Sequence, residues 1–110
     1  MNSSSSSICG GGHHNSISGG YNNIINNNGF FNHIIGGVNT ILGTNNNNII
    51  GSSNCVPLNC DAVNIFGINM TANRSCATFV NNLSIMSIPT SSAGLPAGSV
   101  WNDGGFLKIV

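Results

Sequence analysis

ICGGGHHNS at residues 8–16, ISGGYNN at 17–23, IINNNGFFNH at 24–33, IIGGVNT at 34–40, ILGTNNNN at 41–48 and IIGSSN at 49–54 are variants of one degenerate unit. Each has an Ile, a second small or apolar residue, Gly-Gly or a substitute, and a polar turn. The units begin at Ile8, Ile17, Ile24, Ile34, Ile41 and Ile49, so the steps are 9, 7, 10, 7 and 8 residues. Taken two at a time they come to 15 to 17 residues, which is the length of a coil made of two short strands and two turns. A helix would need apolar residues at three- and four-residue spacing, and Gly with Asn would destabilise its interior throughout. Short strands with Gly and Asn at the corners fit instead, because both residues tolerate the left-handed backbone that tight corners need. The expected fold is therefore all-β, a parallel β-roll or β-helix solenoid.

In that reading Ile8, Ile17, Ile24, Ile34, Ile41 and Ile49 form the core stripe. The second residue of Ile24-Ile25, Ile34-Ile35 and Ile49-Ile50 then faces the other side of its strand. One chain alone leaves this second stripe in water, so a homotrimer packed around an axis is expected, with a filament as the other self-association.

Composition agrees with repetition along an axis. The 110 residues include 21 Asn, 15 Ser and 15 Gly but only two acidic residues, Asp61 and Asp103, and two basic ones, Arg74 and Lys108. Charged residues make up 4% of the chain, against about 25% in an ordinary globular protein. Neutral Asn and Ser can stack in register and hydrogen-bond to each other, whereas a column of like charges repels itself at every rung. Disorder is excluded by the regular Ile, and nucleic-acid binding by the lack of a basic patch. No run of about 18 apolar residues occurs, so no membrane insertion is expected.

Outside the repeat, residues 1–7 read as a flexible Ser-rich N-terminus without the features of a secretion signal. The period is expected to break after Asn54 at CVPLNC, where Pro57 cannot continue a central ladder. Residues 55–88 read as a second β region, with Val63, Ile65, Phe79, Leu83 and Ile85 as its apolar positions. Residues 89–110 read as a loop and a closing β-hairpin cap, 99–101 with 106–110, joined at Asn102-Asp103-Gly104-Gly105.

The repeats ISGGYNN, IIGGVNT and ILGTNNNN resemble those in the heads of YadA-like trimeric autotransporter adhesins and in the β-roll segments of phage and giant-virus tail or surface fibres. Residues 75–85 are similar to a stretch of the same proteins, and SIPTSSAGLPAGSVWNDGGFLKIV at 87–110 resembles the closing segment of viral and phage fibres. Neither the heptads nor the anchor of the adhesins occurs here. The resemblance implies a structural fibre or spike segment at a virion surface or outside the cell, serving attachment or display. A self-assembling extracellular filament and a glycan-binding adhesin head are the other readings, with a host-surface glycan or receptor as partner.

Chemistry is sparse. Asp61 and Asp103 sit in no catalytic motif, and no nucleophile elbow or phosphate loop is present, so no catalytic residue and no enzyme activity are expected. The repeats lack the Asp of calcium-binding nonapeptides, and no cofactor is expected. His13, His14 and His33 are candidates for a metal on a trimer axis, although adjacent His13 and His14 would point opposite ways on a strand, and a turn or surface role is the plainer one. Cys9, Cys55, Cys60 and Cys76 allow disulfides, buried thiols or, less readily, a metal. Tyr21, Phe31 and Trp101 are candidates for stacking on a ligand, with core or seam packing as the plainer role; Phe30 and Phe31 should face in and out. Sequons at Asn2, Asn69, Asn73 and Asn82 are expected by chance in so Asn-rich a chain. An ice-binding face is not expected, since Thr40 and Thr44 are the only threonines of the repeat.

Overall fold

The structure is a computed structural model that describes residues 6–10, 13–26, 29–42 and 45–110. Residues 1–5, with the Asn2 sequon and most of the Ser-rich N-terminus, and Thr44 lie outside the described residues.

The chain is all-β and winds as a parallel β-solenoid. One sheet stacks β1 (Ser7–Ile8), β3 (Ile24–Asn26), β5 (Asn39–Leu42) and β7 (Asn54–Val56). The facing sheet stacks β2 (Ser16–Ser18), β4 (His33–Ile35), β6 (Asn48–Ser52), β8 (Val63–Ile68) and β9 (Ala77–Val80). All pairings within these two sheets are parallel, because successive coils run the same way. The register Ile17↔Ile34, Ile34↔Ile49, Ile49↔Ile65 and Ile65↔Phe79 stacks one apolar column, and Ile8↔Ile25, Ile25↔Ile41 and Ile41↔Val56 stacks the other. The two columns meet between the sheets as the core. Each fully buried Ile contributes about 1.5–3 kcal/mol by removal from water.

Two expected core positions move. Ile24 is only half-buried, and Ile25 takes the interior, because in the six half-coils from Ile17 to Val56 the inward residue follows an Asn by two positions, and Asn23 fixes Ile25. Ile8 lies inward in register with Ile25 but is 40% exposed, since among the described residues no coil covers it on that side. Ile17, Ile34, Ile41 and Ile49 are buried.

Among the described residues five buried Asn side chains, Asn23, Asn32, Asn39, Asn47 and Asn54, line the interior beside the Ile columns. On one side, Ser6 Oγ accepts from Asn23 N–H at 3.1 Å, Asn23 Oδ1 from Asn39 N–H at 2.7 Å, Asn39 Oδ1 from Asn54 N–H at 3.1 Å, and Asn54 Oδ1 from Met70 N–H at 3.0 Å. The side-chain amides of Asn23, Asn39 and Asn54 donate to the carbonyls of Gly36, Gly51 and Gly67 at 2.8, 2.9 and 2.8 Å. On the other side Asn15, Asn32 and Asn47 repeat the device, ending on Val63 N–H. Among the described residues no buried side-chain nitrogen or oxygen lacks a partner. A buried amide so satisfied closes the corners where no ladder hydrogen bond is available.

The period does not break at Asn54. Pro57 falls in the turn directly after β7, where no ladder donor is required, and the coils continue through β8 and β9. The roll therefore ends at Val80, and Ser6 and Ser7, expected in a flexible arm, begin it. Beyond Val80, Leu83 and Ile85 belong to no strand. β10 (Val100–Asp103) and β11 (Phe106–Ile109) form an antiparallel hairpin whose first strand runs two residues further than expected, to Asp103, because Gly104 and Gly105, with φ of 60° and 101°, make a two-residue turn in place of the expected four-residue one. The molecule is 49 Å long and about 22 Å across, and five rungs at roughly 4.8 Å spacing account for less than half of that length.

Candidate functional site

Alternation on β2, β4, β6, β8 and β9 puts two columns on the outer face of their sheet. The first is polar: Ser16, His33, Asn48, Asn64 and Thr78. Ser16 Oγ and His33 Nδ1 lie 2.6 Å apart, and Asn48 Nδ2 donates to Asn64 Oδ1 at 2.9 Å. The second runs Ser18, Ile35, Ile50, Phe66 and Val80. Its four apolar members are 50%, 46%, 44% and 38% exposed, one above the other at the rung spacing. Among the described residues the facing sheet has no equivalent: of its outward columns, Ser7, Ile24, Thr40, Cys55 and Thr71 are mixed in polarity, and Asn26 and Leu42 alternate polar with apolar. The stripe is thus one-sided, and no charged side chain interrupts it.

Ile35 and Ile50 are where the doublet pattern placed them. Phe66 and Val80 belong to doublets of the same kind, Ile65-Phe66 and Phe79-Val80, but lie past Asn54, where the repeat expected from the Ile spacing ends.

The aromatic and histidine candidates occupy a corner. His13 and His14 precede β2 in a turn, with His14 at φ 60°. Phe30 and Phe31, expected to face in and out, are both exposed, because Phe31 at φ 58° turns the corner one coil further on. His13 stacks on Phe30 at 5.7 Å between ring centroids, and His14 on Phe31 at 4.9 Å with the rings within 2° of parallel. Below them Asn45 Oδ1 accepts from Phe30 N–H at 2.8 Å, and Asp61 Oδ1 from Asn45 N–H at 2.7 Å. Asp61 N–H in turn reaches Ser75 Oγ at 2.9 Å. Asp61 is therefore a corner ladder residue. His33 lies on the polar outer column, apart from the other two histidines. Among the described residues no three His, Cys, Asp or Glu side chains gather as a metal would require.

Tyr21 is exposed in the turn between β2 and β3, Phe31 in the turn between β3 and β4, and Trp101 half-buried in the hairpin, so the three ligand-stacking candidates form no common ledge. Lys108 Nζ stands 5.9 Å from the Trp101 ring and 2.5 Å from Asp103 Oδ2. All four cysteines are free thiols: Cys9 and Cys76 are exposed, Cys55 is half-buried and Cys60 is buried. Burial, and then the neighbouring Cys60, push the Cys55 thiol pKa up.

No protein-family model, no curated protein and no solved structure matches this chain.

Proposed function

We propose that this chain is a structural segment of a fibre or spike, displayed at a virion surface or outside the cell, in which three copies pack through the Ile35, Ile50, Phe66 and Val80 stripe. The stripe carries the reading. Water-exposed apolar side chains stacked at one per rung cost a monomer stability at every coil, and a second copy with the same rung spacing covers them in register. The interior supports it as well. Asn ladders and Ile columns make each coil a copy of the last, and stiffness along one axis is what such repetition supplies. Attachment would fall to whatever rests on the exposed corner of His13, His14, Phe30 and Phe31, where a glycan would meet aromatic rings beside polar Asn.

The test is the mass of the purified chain by light scattering, with negative-stain microscopy on the same sample. A discrete three-chain rod is expected, and a folded monomer at micromolar concentration would overturn the reading. Open-ended filaments would favour a second reading, a filament subunit, for which the 40% exposed Ile8 and the position of β1 and β2 at the ends of their sheets among the described residues are the specific observation.

A further inference from the structure

The residues after Val80 carry apolar surface that the roll does not use. Leu83, Met86, Phe106, Leu107 and Ile109 are 69%, 83%, 72%, 64% and 73% exposed. With Ile85, Val100 and Val110 they leave, over both faces of the ribbon together, on the order of 900 Å² of apolar side chain in water, so that each face is of the size of the roughly 300–600 Å² patches that are often functional. A copy covered on both faces, as in a closed ring, would bury close to the roughly 800 Å² that each partner of a stable complex covers. A two-stranded ribbon with apolar residues on both faces is not stable alone in water.

The two faces of the ribbon differ. Register and alternation put Trp101, Asp103, Phe106 and Lys108 on one face, and Val100, Asn102, Leu107 and Ile109 on the other. The second face, with Leu83, Ile85 and Ile88, walls a groove of about 260 Å³, room for one aromatic side chain. Phe106 stands out from the first face, so it cannot enter the groove of its own chain. The charges of this module, Asp103 and Lys108, already pair with each other, so covering that face buries no unpaired charge.

We propose that Phe106 of each copy inserts into the Leu83, Ile85, Ile88 and Leu107 groove of a second copy of this chain. Knob and groove lie on opposite faces of one module, so the contact is heterologous: it runs head to tail, and it ends only by closing into a ring. That the ring holds three copies rests on the trimeric reading above; the contact itself does not.

The experiment measures the mass of full-length chain carrying Phe106→Asp, Ile85→Asp, and an equal mixture of the two. Both substituted residues are exposed, so the roll is expected to keep its β circular dichroism and the slow exchange of the Asn39 and Asn54 amides. Each variant alone is expected to lose the oligomer. In the mixture the intact Phe106 of the Ile85→Asp chain meets the intact groove of the Phe106→Asp chain, so one contact returns and a two-chain species forms. Trp101, the single tryptophan, reports the same event as a concentration-dependent blue shift of its emission, absent in Phe106→Asp alone. A Phe106→Asp chain with the wild-type mass, or a mixture that stays monomeric, would overturn the contact while leaving a stripe-mediated trimer standing. A wild-type dimer or open polymer that Phe106→Asp dissolves would keep the contact and overturn the trimer.

Discussion

Asn39 Oδ1 accepts the backbone N–H of Asn54, 3.1 Å away and one coil further along the axis, while the Asn39 side-chain amide donates to the Gly51 carbonyl at 2.9 Å. One side chain thus satisfies two backbone groups that a corner would otherwise leave buried and unpaired. Asn39→Ala removes both partners at once, and each orphaned group costs about 1–3 kcal/mol. The expected loss is about 2–5 kcal/mol in urea unfolding, whereas Asn48→Ala on the outer polar column should cost under about 1 kcal/mol. Equal losses at the two positions would mean that the interior ladder has no special role.

Gly51 gives a second, steric test. It sits at φ 140°, in register with Gly67, and a Cβ there would overlap the Gly67 carbonyl of the next coil. Gly51→Ala must strain the backbone and push two coils apart, and about 3 kcal/mol of destabilisation is expected. Gly98, also at positive φ but with open space around it, isolates the backbone contribution, and Gly98→Ala should cost about 1 kcal/mol.

The fold was legible because Ile spacing near 16 residues per pair of strands survives in the sequence even where the turns vary. The finer assignment was not, and Ile24 shows why. Read by Ile alone, the doublet Ile24-Ile25 has no inward member that can be named in advance. The pattern that names it is Asn two residues before the inward apolar residue: Asn15 and Ile17, Asn23 and Ile25, Asn32 and Ile34, Asn39 and Ile41, Asn47 and Ile49, Asn54 and Val56. Asn was assigned to turns because it tolerates positive φ, and Asn22, Asn46, Asn59 and Asn69 do adopt it. The interior Asn carry the other property of the residue, an amide that donates and accepts at once. The same pattern reaches past Pro57, where Val63 takes the Asn position before Ile65, so the extra coils were hidden by a substitution rather than by a break. The outward stripe was half legible for the same reason, Ile35 and Ile50 being visible and Phe66 and Val80 not.

Cysteine reactivity follows from burial. Cys9 and Cys76 are exposed and should react with a maleimide within minutes at pH 7, whereas buried Cys60 should react only on opening of the roll. Cys55 is half-buried with a raised pKa, burial being the larger cause and Cys60 the lesser. Its neutral thiol is therefore favoured in the folded chain, and its labelling rate should climb only at higher pH than in the unfolded chain. By linkage, the folded chain holds this proton longer than the unfolded one, so stability should decline as pH rises past the ordinary thiol range. Mass spectrometry of the chain labelled from pH 7 to 10, folded and in urea, checks this, and Cys55 labelling as fast in the folded as in the unfolded chain would contradict it.

Ile49 and Ile50 are chain neighbours with opposite surroundings, 1% and 46% exposed. Ile49→Ala opens a cavity between the sheets and should cost about 2–5 kcal/mol in any oligomeric state. Ile50→Thr keeps a β-branched side chain on an outward position, so the unfolding free energy of the isolated chain should change by less than about 0.5 kcal/mol. If the stripe joins copies, Ile50→Thr combined with Phe66→Thr should weaken association by at least tenfold, since two apolar contacts are lost in each chain and every tenfold corresponds to about 1.4 kcal/mol. Sedimentation velocity over a dilution series reads the association, and urea unfolding of the diluted chain reads the fold. An unchanged dissociation constant in the double variant would remove the stripe from the interface and leave the residues after Val80 as its site.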